Sequence, residues 1–245
     1  MRPVRRDISP RTSDFSSYSD AQTDLVARLG IYCSYCERRV ATQLAVEHIQ
    51  PKGLAAYAHL IGRWENYLLG CVNCNSTKKD KDVHLERILL PDRDNTFAAF
   101  TYHPDGSITP SPSAVSKGLE DMARRTLQLT GLDRSISIAL DENGKQVALD
   151  RVAQRMEVWA VADEARSDVT NSPGNDAVRR GAVRTAQGYG FFSIWMTIFE
   201  ADTDMRNRLV DAFSGTRQSE CFDVGSAASI SPAPNPDGLP HGGKI

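Results

Sequence analysis

The sequence predicts an α+β fold: a small metal-knotted module of two strands and a helix, followed by a mainly α-helical domain. Three observations predict it. Four of the five cysteines fall into two tight C-x-x-C pairs, Cys33/Cys36 and Cys71/Cys74. The residues between and after those pairs read as strand, loop, helix. From residue 113 onward, apolar positions recur at helical spacing.

Each element follows in chain order. Residues 1–17 are polar and punctuated by proline, which predicts an extended arm. Ser19 to Leu29 reads as a short helix: Ser19 and Gln22 have capping-box spacing, Ala21, Leu25 and Leu29 share a face, and Gly30 supplies a stop. The module is placed at 31–90. Its first strand is expected in Gln43–Ile49, ended by Pro51 and Gly53. Trp64 to Gly70 leads into the second cysteine pair, and Asn75 to Leu89 reads as a helix broken by Pro91. Residues 91–112 form a hairpin or linker, with the turn at His103-Pro-Asp-Gly. Within a helical domain at 113–224, one helix carries Leu119, Met122, Ala123, Thr126, Leu127 and Leu129 and ends at Gly131. A longer one runs from about Lys145 to Ala165, with Val147, Val152, Met156 and Trp159 inward. A final pair spans Gly190–Ala201 and Asp204–Ser214 and brings Phe191, Phe192, Trp195, Ile198 and Phe199 into the core. Residues 225–245 are rich in Gly, Pro, Ser and Ala and are expected to be a disordered tail.

Composition narrows the function classes. A chain of 245 residues with 40% hydrophobic and 24% charged content has enough apolar material to bury a core. No apolar run approaches the ~20 residues that span a bilayer, and the basic start Met1-Arg-Pro-Val-Arg-Arg lacks the apolar core of a signal peptide. No membrane role is expected, and the expected location is cytoplasmic. Net charge is −2, but it is split: residues 1–90 carry 13 Lys+Arg against 10 Asp+Glu, and residues 91–245 carry 16 against 21. The front half tolerates a phosphate backbone better than the rear.

Paired C-x-x-C motifs in a cytosolic chain read as metal binding before disulfides. The pairs Cys33/Cys36 and Cys71/Cys74 are separated by 34 residues. Four thiolates close a tetrahedral zinc shell with no position left for water, so the zinc is structural. A module of some 60 residues needs it, being too small to bury enough apolar surface unaided. Cys221 stands apart and reads as a buried core thiol.

Chemistry lies between and beside the cysteines: Glu47-His48-Ile49-x-Pro51-Lys52, then Asn66, then Cys71-x-x-Cys74-Asn75-x-x-Lys78. Phosphodiester hydrolysis needs an activated water and compensation of negative charge. His48 titrates in the range suited to a general base. Glu47 and Asn75 offer hard oxygen ligands for one Mg²⁺ or Mn²⁺. On a strand Glu47 and His48 point to opposite sides unless the strand ends and bends there. His59, His84 and His103 have no motif around them and read as surface or core.

These stretches resemble the signature of HNH endonucleases, the ββα-metal fold, in the branch with four cysteines. The resemblance implies that Glu47 and His48 sit at a bend, that His48 is the base, and that Asn66 closes the loop between the strands and orients the histidine. It also implies that Asn75 supplies the third position at the helix start and that DNA is the substrate. Lys78, one turn beyond Asn75, is expected to face the phosphate backbone, as is Lys52; Lys79 and Lys81 are weaker candidates. Outside the module, Met1-Arg-Pro-Val, Tyr32–Glu37, the Tyr102–Pro110 hairpin, Thr126–Leu132 and Arg151-x3-Arg155 resemble the HNH proteins of Septu and retron-associated anti-phage systems. That likeness implies an ABC-type ATPase partner docked on the acidic rear half. No G-x-x-x-x-G-K-[ST] loop is present, so the chain is not itself the ATPase. The alternatives are a stand-alone restriction nuclease and a non-catalytic zinc adaptor.

Overall fold

In the computed structural model the described residues are 1–135 and 150–245, with the backbone of the short strands at 139–140 and 146–148 between them. A 3-10 turn, Tyr18–Ala21, leads into helix α1 (Gln22–Leu29). Strands β1 (Ala45–His48) and β2 (Tyr67–Gly70) pair antiparallel, and helix α2 (Val72–Lys78) follows. Next come α3 (Thr96–Ala99), the hairpin β3 (Phe100–Tyr102) and β4 (Ile108–Pro110), then α4 (Pro112–Ser116) and α5 (Glu120–Thr130). The strands β5 (Ala139–Leu140) and β6 (Gln146–Ala148) precede four helices: α6 (Arg151–Asn171), α7 (Asp176–Tyr189), α8 (Phe192–Ile198) and α9 (Thr203–Ala212). The architecture is α+β, with small sheets at the cysteine-rich front and a mainly helical rear.

Several elements sit differently from their sequence reading. Gln22 does not cap α1; its amide reaches the Leu44 carbonyl, and Ala21 stands at the cap without a side-chain bond. Helix α2 starts at the second cysteine pair, where Cys71 Sγ accepts from Cys74 N at 3.5 Å, and it stops at Lys79, whose φ of 47° leaves the helical region. The helix expected over Asn75–Leu89 is therefore shorter and earlier, because the cysteine turn sets its start. Of the helix expected from Lys145, that residue lies outside the described ones, and Val147 is in β6; α6 begins after Asp150, which caps Val152 N at 2.5 Å. Its buried face is Val152, Arg155, Val158, Ala162 and Val169, whereas Met156 is 41% exposed. Helix α7 was not anticipated: it carries no bulky aliphatic or aromatic residue in its buried face, which is Ala182 and Ala186 with Val178 and Val183 beside them.

The ends of the sequence are packed. The arm at 1–17 holds no helix or strand and threads the junction of the two halves: Val4 N donates to Pro91 O (2.7 Å), and Arg5 N to Gly215 O (2.9 Å). Arg6 reaches Tyr67 O and Glu65 O at 2.7 and 2.6 Å and pairs with Asp92 at 2.8 Å. Residues 225–245, expected to be disordered, return to the same junction: Asn95 binds the Ile230 carbonyl, Gly243 N donates to Arg93 O, and Ile245 is fully buried. Low complexity lowered the expected apolar gain, but Ala233, Leu239 and Ile245 are anchors enough. Behind them Phe97, Phe192, Phe213 and Phe222 form an aromatic cluster with ring centroids 5.4–6.3 Å apart. Burial pushes the Cys221 thiol up to about 12, so it is a core residue and not a reactive one. Among the described residues no helix is long and apolar enough to cross a membrane.

Candidate active site

The four cysteines of the two pairs converge. All four sulfurs are buried and lie within 4.8 Å of one another, and Cys36 Sγ is 3.7 Å from Cys71 Sγ. A tetrahedral zinc with bonds of about 2.3 Å spaces its sulfurs by about 3.8 Å, so the cage fits zinc. Arg151 at the start of α6 donates to Cys74 Sγ (3.5 Å) and to the carbonyls of Thr130 (2.8 Å) and Gly131 (2.7 Å). It orients a ligand and ties the cage to the helical half.

Above the cage, β1 and β2 pair Ala45 with Gly70 and His48 with Tyr67. Strand β1 ends at His48, and the next backbone bond, Ile49 N to Asn66 O at 2.8 Å, closes onto a loop. Asn66 is buried and clasps that loop: its Oδ1 accepts from Gln50 N (2.8 Å), and its Nδ2 donates to Gln50 O (3.0 Å) and Leu60 O (3.3 Å). Every polar atom of its amide is bonded to backbone.

His48 and Glu47 leave the strand on opposite faces but open onto one cleft of about 400 Å³, whose walls also include Asn75, Lys52 and Lys79. The His48 ring packs edge-on against Tyr18 (4.9 Å) and Tyr67 (5.2 Å). Its Nε2 lies 3.1 Å from Ile61 O. A carbonyl only accepts, so this bond puts the proton on Nε2 and leaves the lone pair on Nδ1. Burial pulls the His48 pKa below the ordinary histidine value; the Ile61 carbonyl opposes this, and Lys52 and Lys78 reinforce it.

On the other face, Gly70 makes room. A Cβ there would stand 2.9 Å from Glu47 Cγ and 3.8 Å from Asn75 Cβ, so both side chains flank one point on the strand. Glu47 and Asn75 thus approach the same glycine, with the Glu47 oxygens held by Lys78 and Tyr35; a carboxylate with a carboxamide is the kind of hard donor set that Mg²⁺ or Mn²⁺ takes.

Lys78 is where the structure departs most from the sequence reading. It shares the face of Asn75, but that face meets β1: Lys78 is 1% exposed, pairs with Glu47 Oε1 at 2.8 Å and donates to His48 O at 2.7 Å. It does not face a phosphate backbone. Burial raises the Glu47 pKa, while Lys78 and a longer contact from Tyr35 OH (3.4 Å) pull it back. Lys52 and Lys79 are exposed on the cleft, whereas Lys81 turns to the carbonyls of Gln128 and Leu129 at 3.3 Å. His59, His84 and His103 are not among the residues lining the cleft.

Residues 33–81 match the family model described as HNH endonuclease. The cysteine-pinned module is an HNH endonuclease domain. The match takes in all four cysteines together with Glu47, His48, Asn66 and Asn75, and an HNH endonuclease domain is a phosphodiester hydrolase. No curated protein matches the chain. Tyr18 and Gly70 went unnoticed in the sequence. Gly70, a glycine within a strand, carried a signal of close approach; Tyr18 lies upstream of the HNH match and carried none.

Proposed function

We propose that the protein cuts DNA with His48 as general base, Glu47 and Asn75 as holders of one Mg²⁺ or Mn²⁺, and Asn66 as the residue that fixes the histidine loop. The observation that carries this is the shared cleft: a neutral imidazole, a carboxylate and a carboxamide open onto one space whose walls bear two exposed lysines. The ion, when bound, supplies positive charge to the scissile phosphate and the leaving oxygen. His48, held through Nε2 by Ile61 O, takes the water proton on Nδ1, and its depressed pKa keeps that lone pair available. Lys52 and Lys79 hold flanking phosphates as point charges, without reading bases. Zinc, outside the cleft and enclosed by sulfur, keeps the module folded.

The test is purified His48→Ala with plasmid DNA and Mg²⁺ or Mn²⁺. Nicking is lost while zinc content and melting stay unchanged; undiminished cutting would remove His48 from the mechanism.

A finer reading places the protein in an anti-phage system as a nuclease working with an ABC-type ATPase. Its support is the likeness outside residues 33–81 and the acidic balance of residues 91–245, which disfavours direct DNA contact by the rear half. Co-purification of the full chain with an ATPase encoded beside its gene is the expected result. Absence of such a gene overturns it.

A further inference from the structure

The nuclease reading leaves one wall of the cleft unexplained. It is built by the 3-10 turn Tyr18–Ala21, upstream of the HNH match, which places Tyr18, Ser19 and Gln22 beside the catalytic histidine. The turn is anchored on both sides. Phe15 N donates to Gly62 O at 2.9 Å and its ring stacks on Trp64, while Ala21 is fully buried. Tyr18 itself does two things at once. Its ring meets the His48 ring edge-on at 4.9 Å, and Tyr67 meets the same ring edge-on at 5.2 Å. It also carries the Lys52 ammonium 4.1 Å over its face, and Lys52 Nζ donates to the Tyr18 hydroxyl at 2.8 Å.

We infer that Tyr18 is a positioning residue of this nuclease, which holds Lys52 at the height of the catalytic imidazole so that its ammonium meets the DNA phosphate next to the scissile one. The inference rests on the nuclease reading and adds to it a residue outside the HNH domain. A free lysine samples many rotamers, and a contact made by an already ordered ammonium gains what ordering would otherwise cost. The ring and the hydroxyl have separable parts. The ring supports both His48 and the ammonium; the hydroxyl serves Lys52 alone.

The experiment is a double-mutant cycle on the full-length protein, with a short DNA duplex of fixed sequence as probe and Mg²⁺ as the ion. Tyr18→Phe raises KM about two- to fivefold, the scale of one exposed cation contact, with kcat near wild type. Tyr18→Ala raises KM and also lowers kcat, because the imidazole loses its flank. Tyr18→Phe adds nothing to the KM of Lys52→Met, since both remove the same contact. Zinc content and melting, measured alongside, confirm that the variants fold; should Tyr18→Ala not fold, the Tyr18→Phe/Lys52→Met cycle decides alone. Additive effects in that cycle, or a Tyr18→Phe KM equal to wild type, overturn the inference. His48→Ala run in parallel separates the two ideas: if it is inactive while the cycle is additive, only Tyr18's role falls; if it cuts normally, the nuclease reading falls first.

Discussion

Replacing Lys78 with methionine removes the only ammonium within hydrogen-bonding reach of the Glu47 carboxylate among the described residues, while nearly keeping the side chain's volume. Both partners are almost wholly enclosed, at 1% and 2% exposure, so solvent screening offsets little of the loss. Breaking a buried pair from one side costs about 3–5 kcal/mol. The carboxyl limits that cost by taking a proton. Protonating a carboxyl of ordinary pKa near 4.3 costs about 3.7 kcal/mol at pH 7 and about 1.6 kcal/mol at pH 5.5. In a chain of this length each kcal/mol moves Tm by about 2–4 °C, so the variant is expected to melt roughly 7–15 °C below wild type at pH 7. The sign follows from the raised Glu47 pKa: losing Lys78 raises it further, the folded state then holds a proton that the unfolded state releases, and stability falls as pH rises through that window. The deficit therefore shrinks at pH 5.5. Adding Glu47→Gln to Lys78→Met restores most of the loss at pH 7, since no buried charge remains. Differential scanning calorimetry at both pH values, with zinc measured in parallel, is the assay. A Lys78→Met protein that melts with wild type at pH 7 would refute the enclosed pair.

Three further outcomes are expected. Asp92 is fully enclosed between Arg6 and Arg93; burial raises its pKa, but the two guanidiniums bring it below the ordinary value, so its contribution is present above about pH 4 and is lost as pH falls through its depressed folded pKa. Asp92→Ala, which strands two buried cations, costs about 3–5 kcal/mol in urea unfolding near neutrality, and an unchanged midpoint would show that the cations find other partners. Cys71→Ser lowers bound zinc and destabilises the chain, as read by metal analysis and melting; full zinc occupancy would contradict the four-sulfur cage. Gly70→Ala forces the Glu47 side chain off its path, given the 2.9 Å approach of its Cγ, and is expected to slow cutting by an order of magnitude or more while zinc stays bound; cutting at the wild-type rate would mean that Glu47's placement is immaterial.

The chemistry of the module was legible because it is written in residue types at short spacing. The cysteine pairs fall on one cage, Glu47, His48 and Asn75 line one cleft, and Asn66 clasps the loop that follows His48. What the sequence could not say is what stands opposite each face. Lys78 does lie on the face of Asn75, as a three-residue step demands, but only the fold shows that the Glu47 carboxylate waits there. Tyr18 falls between the polar arm and the first helix, with no motif around it, because its partners, His48 and Lys52, are far along the chain. Helix periodicity recovered α5 and the aromatic core of α8, where bulky residues carry the pattern. It missed α7, which packs through two alanines and two valines. The tail failed for a related reason: composition reports average apolarity, and three well-placed side chains with a few backbone bonds outweigh it.

Arg151 gives the cysteine cage a consequence beyond its own module. One guanidinium spans a cage sulfur and the last carbonyls of α5, from the first residue of α6. The segment that matches the nuclease family is therefore no portable cassette: excised, it would leave behind the cation that steadies Cys74, together with Arg6, which holds the Glu65 and Tyr67 carbonyls. Exchange between relatives would have to carry both halves in one piece, and damage to the thiols would be felt in helices that lie outside the nuclease match.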